Sequence, residues 1–250
     1  MKEKFLKLFT NLKQNLLDEI YPKNYSCHCC SDELKVSNDY FLCNKCLASL
    51  RYIKNPCKKC SEDLNDFTDY CRNCKDKVRN FDRVISSLVY DGVAKNLVYK
   101  FKYSGQKYIA DCISVFMLNK IKSSDILNKI DLILPVPLSK ERFKSRGFNQ
   151  AEILSLKISS KLNIEHNSSI LKRVKATPTL TNLNKNERAE NLLNAFEVAD
   201  SSLIKGKTIL VIDDIITTGA TLDEISKVLK NKGAKSVYGL TFCHTKLENI

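Results

Sequence analysis

The chain has 250 residues, 43% of them hydrophobic, and carries 41 Lys and Arg against 28 Asp and Glu, a formal charge of +13. That length allows one or two domains, at least one with a substantial core, and no apolar stretch approaches the ~20 residues that cross a bilayer. Most of the 11 cysteines crowd the first third, ahead of a normally apolar remainder, which argues for two modules.

In chain order, Phe5, Leu8, Phe9, Leu12, Leu16 and Ile20 recur at helical spacing among lysines, which predicts an amphipathic helix over residues 1–24. It either docks on another part of the protein or lies on a membrane surface. Four C-x-x-C pairs follow over residues 25–80: Cys27/Cys30, Cys43/Cys46, Cys57/Cys60 and Cys71/Cys74. The first two pairs enclose twelve residues and the last two enclose ten, so each half reads as a hairpin with two knuckles. Two intervening residues let both sulfurs of a knuckle turn toward one ion, and two four-cysteine zinc sites are expected. Disulfides are the alternative, but no secretory signal peptide precedes the pairs, and a cytoplasmic chain keeps its thiols reduced. Cys29 or His28 could replace a neighbour in the first site, and crossed pairing of knuckles is an alternative to sequential pairing. Cys112 and Cys243 lie in apolar surroundings and read as buried small hydrophobes. Tyr40, Phe41, Tyr52, Phe67 and Tyr70 either form a minimal core or stack bases.

A module boundary is expected near Asn80, with a second domain over residues 81–250. A strand-like series runs from Phe81 to Tyr90, and helical patterns follow at Val93–Phe101 and Ile109–Ile121. Lys102, in Phe-Lys-Tyr-Ser-Gly, reads as a surface lysine, with an approach to a ligand as the alternative. A strand at 131–136 is stopped by Pro135 and Pro137. The loop after it carries Lys140, Arg142, Lys144 and Arg146 within seven positions and looks like an anion receptor, against the alternative of a solvated basic face. A capped amphipathic helix is expected at Asn149–Leu162, and the alternation of types points to an α/β fold with a central parallel sheet.

Residues 208–212 form an apolar β-branched run, read as a parallel strand covered on both faces, and it meets Asp213 and Asp214. Neighbouring carboxylates at the carboxyl end of such a strand can accept hydrogen bonds from ribose hydroxyls. Ile216, Thr217, Thr218, Gly219, Ala220 and Thr221 then offer backbone N–H groups, hydroxyls and a glycine at the head of a helix through Asn231, where a monophosphate fits. A last strand is expected at 236–243. Residues 1–80 hold 15 Lys and Arg against 11 Asp and Glu, and the remainder 26 against 17, so most of the surplus belongs to this second part. A basic surface suits a sugar pyrophosphate and also attracts phosphate polymers.

The run Ile209-Leu-Val-Ile-Asp-Asp-Ile-Ile-Thr-Thr-Gly-Ala-Thr221 resembles the motif by which type I phosphoribosyltransferases bind 5-phosphoribosyl 1-pyrophosphate (PRPP). Pro135-Val-Pro-Leu, Arg146-Gly-Phe-Asn-Gln150, Leu171-Lys-Arg173, Thr177-Pro and Arg188-Ala-Glu-Asn191, behind the cysteine knuckles, resemble the ComF/ComFC family over residues 25–245. One departure is Leu180, where family members often carry Gln. The resemblance implies a type I phosphoribosyltransferase fold behind a double zinc ribbon, with residues 172–194 as a hood over the ligand. Lys172, Arg173 and Lys175 then either reach the pyrophosphate or are solvated hood charges. It implies PRPP as ligand, Mg²⁺ arriving with it, and Asp213 and Asp214 as the catalytic, ribose-binding acids. Arg142, Lys144 and Arg146 would meet the pyrophosphate. It further implies a cytoplasmic role in natural transformation, with single-stranded DNA and a DNA-uptake helicase or other competence proteins as partners. Two readings stand: a transferase with an unidentified acceptor, or a PRPP-sensing adaptor without turnover.

Overall fold

A computed structural model describes residues 26–35, 38–65, 68–175 and 193–245. The predicted helix over 1–24, Phe67, Leu180 and residues 176–192 of the expected hood lie outside them.

Apolar, β-branched segments alternate with amphipathic ones, and the strands collect into one parallel sheet. The strands are β1 (Arg83–Val89), β2 (Leu132–Pro135), β3 (Glu165–His166), β6 (Thr208–Ile216) and β7 (Ser236–His244), in the order β1-β7-β6-β2-β3. A separate antiparallel pair joins β4 (Leu171–Arg173) to β5 (Phe196–Val198). The longer helices are α3 (Gly92–Tyr103), α4 (Ile109–Lys122), α6 (Gln150–Leu162) and α7 (Ala220–Asn231). Three short ones are α1 (Asn44–Ala48), α2 (Arg72–Lys75) and α5 (Lys140–Arg146).

Side chains alternate across a strand, so β6 serves two cores. Leu210 and Ile212 pack with residues of α3, α4 and α6, including Phe101, Ile113 and Ile158. Ile209 and Val211 pack on the other face with Leu222, Ile225 and Leu229 of α7 and Phe196 of β5. All four β6 residues are fully buried, and truncating one to Ala would cost about 2–5 kcal/mol. Helix α6 begins at Asn149, whose side chain accepts from the Ala151 N–H, and stops at left-handed Asn163.

Two departures from the sequence expectation shape the site. The strand expected to stop at Ile212 runs on to Ile216 because β7 continues to pair with it, Asp213 opposite Thr241 and Ile216 opposite His244. Strand β2 ends at Pro135, opposite Ile212, so the two acids overhang it and leave a notch at the carboxyl edge. The basic stretch after β2 is also a helix, not a loop: Ser139 caps α5 by accepting from the Arg142 N–H, and Gly147 ends it at φ 74°.

The cysteine region repeats one unit. The Cys27 N–H donates to the Asp32 carbonyl and the Ser31 N–H to the Cys27 carbonyl; Cys57 with Glu62 and Ser61 with Cys57 repeat both bonds. Cys43 and Cys71 precede α1 and α2, which place Cys46 and Cys74 one turn later. Leu34, Leu42 and Leu50 of the first unit join the core formed with α3 and α4. The second unit joins the α7 core. Tyr40 packs on Phe116 and Phe41 stacks on His28, so these two aromatics are packing residues.

Candidate functional site

The notch gathers parts from five elements. Asp213 and Asp214 leave β6 toward opposite faces of the sheet. Asp214 is buried, and Lys102 of α3 brings its Nζ to 2.7 Å from Asp214 Oδ2, the two side chains being 15% and 5% exposed. Lys102 is therefore no surface lysine, and its pairing makes it part of the site. Asp213 keeps some solvent access, and the Asp214 N–H donates to its Oδ1 at 2.9 Å. Burial first, then the charge of Asp214, pushes the Asp213 pKa up to about 7, with Lys102 opposing the rise.

The turn Thr217–Gly219 follows, and Ala220 and Thr221 begin α7. Gly219 has φ 75°, a left-handed conformation that a side chain would strain. Ile216 is buried beneath the turn, whereas Thr217 and Thr218 are half-exposed. Backbone N–H groups at a helix start, with hydroxyls alongside, can receive an anion.

On the β2 side, Arg142 and Arg146 are half-buried and Lys144 is exposed. Arg146 is held by Gln150 Oε1 at 3.1 Å and by the face of Tyr103, 5.2 Å from the ring centroid. The C-terminal end of α3 thus touches both halves, with Lys102 on the acids and Tyr103 on the basic helix. Arg173 of β4, over the Phe196 ring, has its pKa lowered by burial and then by Arg142, with Glu141 and Asp213 opposing the fall. Lys172 is exposed on β4.

The eight knuckle cysteines assemble sequentially. The sulfurs of Cys27, Cys30, Cys43 and Cys46 lie within 4.8 Å of one another, and so do those of Cys57, Cys60, Cys71 and Cys74. Crossed pairing is overturned, and neither Cys29 nor His28 belongs to the first quartet. Cys30 and Cys43 sulfurs stand 3.7 Å apart and Cys60 and Cys71 sulfurs 3.6 Å. Tetrahedral zinc at ~2.3 Å per Zn–S bond separates its sulfurs by roughly 3.8 Å, so both sets fit a metal ion. Against burial, backbone N–H groups bring Cys27 down to about 7, while burial pushes Cys30 up to about 11. The sulfurs of Cys57 and Cys60 are driven in opposite directions, down and up, chiefly by their hydrogen bond to each other. Four close thiols cannot all ionise without a cation among them. Cys60, Glu62 and buried His244 form a third close group, tying the second quartet to the end of β7. Cys112 and Cys243 are buried, and burial raises both thiol pKa values.

Tyr103 escaped sequence reasoning as part of the site, and Lys102 entered it only as the alternative to a surface lysine. The signal was their position at the end of a helix, beside Ser104-Gly105, but the partners that give it meaning lie in the three-dimensional fold.

A parallel sheet whose overhanging acids run into a phosphate turn defines a phosphoribosyltransferase-type domain, and residues 121–248 match the family described as "Phosphoribosyl transferase domain". Competence protein F of Haemophilus influenzae is 31% identical over 219 residues, covering 86% of this chain and 88% of that one. DNA utilization protein YhgH of Escherichia coli K12 is 28% identical over 207 residues, covering 82% and 90%. Competence protein ComFC of Streptococcus pneumoniae is 30% identical over 148 residues, covering 59% and 62%. The chain belongs to the ComF/ComFC family of phosphoribosyltransferase-like proteins. Among solved structures, purine phosphoribosyltransferase from Pyrococcus horikoshii overlays with a TM-score of 0.33 at 16% identity, covering 54% of this chain and 72% of that one.

Proposed function

We propose that this chain binds PRPP and transfers its phosphoribosyl group to an acceptor still to be identified, in the handling of imported single-stranded DNA. The observation that carries the reading is the overhang of Asp213 and Asp214 past β2, next to the turn Thr217–Gly219 and across from Arg142 and Arg146. The turn and the first residues of α7 receive the 5′-phosphate, and Asp213 and Asp214 accept from the ribose hydroxyls. Arg142, Arg146 and exposed Lys144 take the pyrophosphate, whose charge grows as its bond to C1 breaks. Arg173 would join them. Mg²⁺ bound with PRPP would neutralise pyrophosphate oxygens, with Asp213 and Asp214 as protein carboxylates for it.

The division into a helix over 1–24, a ribbon over 25–80 and a transferase domain over 81–250 belongs to the same reading, as do two structural zinc ions, one per cysteine quartet. A cytoplasmic location fits reduced thiols and a phosphosugar ligand, and no helix among the described residues is long and apolar enough to cross a membrane. The names of the relatives support DNA and other competence proteins as partners, and a DNA-uptake helicase belongs to the same reading.

The Lys102–Asp214 pair favours a second reading, a PRPP-sensing adaptor without turnover, since a carboxylate neutralised from within does less to stabilise positive charge developing at C1. Pyrophosphate release from PRPP, screened with bases, nucleotides and single-stranded DNA, separates the two. Acceptor-dependent release supports the transferase; saturable PRPP binding with no release under any acceptor supports the adaptor.

A further inference from the structure

The second cysteine quartet and the phosphate turn are joined by the short segment that leaves Cys74. Arg79 Nη2 donates to the Thr218 carbonyl at 2.9 Å. The Asn80 N–H donates to Asp223 Oδ1, in the first turn of α7, at 2.6 Å. Ring carbons of Phe81 lie 3.5 and 3.6 Å from the point where a Cβ would stand on Gly219. Arg79 and Lys59, the latter from between Cys57 and Cys60, each place a cationic group 5.8 Å from the Phe81 ring centroid. From the same knuckle, the Lys59 carbonyl accepts from the Val84 N–H at 2.8 Å, and Ser61, just after Cys60, donates its Oγ–H to the Val84 carbonyl at 2.7 Å.

The Thr218 carbonyl is an informative place for a guanidinium to bind. Helix α7 builds its own first bond one residue later, with the Asp223 N–H donating to the Gly219 carbonyl at 2.9 Å, so the Arg79 contact is not needed to hold the helix. What it fixes is a peptide plane. In a trans peptide the carbonyl and the following N–H point in opposite directions, so drawing the Thr218 carbonyl toward Arg79 turns the Gly219 N–H to the other side of the turn. Successive N–H groups aimed to one side at a helix start are what an anion receptor consists of. The left-handed Gly219, lying on the Phe81 ring, keeps the turn from relaxing.

We infer that Arg79 is a positioning residue for the 5′-phosphate, anchored by the second cysteine quartet, so that this quartet and the phosphosugar site fold and bind as one unit. The inference rests on the phosphosugar reading of the turn. It follows that the cysteine module cannot be lost without affecting the sugar site.

The test is calorimetric titration of the full chain with ribose 5-phosphate, PRPP and pyrophosphate, alongside metal counting by atomic absorption and a thermal melt. Arg79→Met, which keeps the aliphatic stem, is expected to weaken ribose 5-phosphate and PRPP about tenfold, roughly the worth of one phosphate hydrogen bond from the Gly219 N–H that the turn no longer aims. Pyrophosphate affinity and metal content stay at wild-type values, and Arg79→Lys restores part of the loss. Unchanged ribose 5-phosphate affinity overturns the assignment, and so does an equal loss for all three ligands, which would mean general loosening. Cys71→Ser, with one metal fewer per chain, is expected to lose ribose 5-phosphate affinity at least as far; full affinity in that variant overturns the coupling. Wild-type protein that binds no phosphosugar refutes the parent reading, an outcome distinct from failure of Arg79 alone.

Discussion

Replacing Lys102 by Met removes one half of a buried ion pair and leaves the other half in place. At 2.7 Å and an effective dielectric constant of ~20, Coulomb attraction between the groups is about 6 kcal/mol. Desolvation of both charges takes back part of this, yet removal of one partner strands the other, and such deletions cost about 3–5 kcal/mol. Asp214 has little recourse to water, its side chain being 5% exposed, and its neighbour Asp213 is a second carboxylate already short of solvation. Lys102→Met is therefore expected to lose about 3 kcal/mol at pH 7.5 by urea denaturation, with an unchanged slope. The double variant Lys102→Met with Asp214→Asn, which leaves no stranded charge, should regain most of that loss. Wild-type stability in Lys102→Met, or a double variant no better than the single one, would show that the pair carries no energetic weight and refute the reasoning.

Other outcomes follow from the same geometry. Asp213 has a folded-state pKa raised from 3.8 to about 7, so stability should fall as pH rises between those values, because the unfolded chain ionises first. Asp213→Asn should flatten that slope between pH 4 and 7 in urea midpoints while weakening PRPP binding; a slope identical to wild type would contradict it. Gly219→Ala forces an L-residue to φ 75° and is expected to cost about 1–2 kcal/mol and to weaken ribose 5-phosphate binding, read by thermal melt and calorimetry. Cys57→Ser should retain one metal per chain instead of two, a count that atomic absorption checks; two metals would contradict the sequential quartets.

The strand that carries the acids was legible because the four consecutive apolar residues Ile209–Ile212 suit burial on both faces, and the glycine turn after it marks a helix start. Its length was not, since the four residues beyond Ile212 are held in the strand by β7, far away in sequence. Helix α6 was readable from its cap, Asn149. Helix α5 was missed although Ser139 and Gly147 bracket it, because a run of cations masked its periodicity. The knuckles announced themselves through spacing, yet sequential assembly depends on the repeated turns at Cys27 and Cys57. Arg79 carries no local signal and Lys102 only a weak one, its place at a helix end: each is an ordinary cation until the fold sets it against Asp214 or the Thr218 carbonyl.

The most direct test of the central claim is calorimetric titration of PRPP with Mg²⁺ into wild-type protein and into the variant with Asp213→Asn and Asp214→Asn. Saturable binding to wild type at about one PRPP per chain is expected, and none to the double variant, whose sheet stays folded. No PRPP binding to wild type, or equal affinity in both proteins, would contradict it.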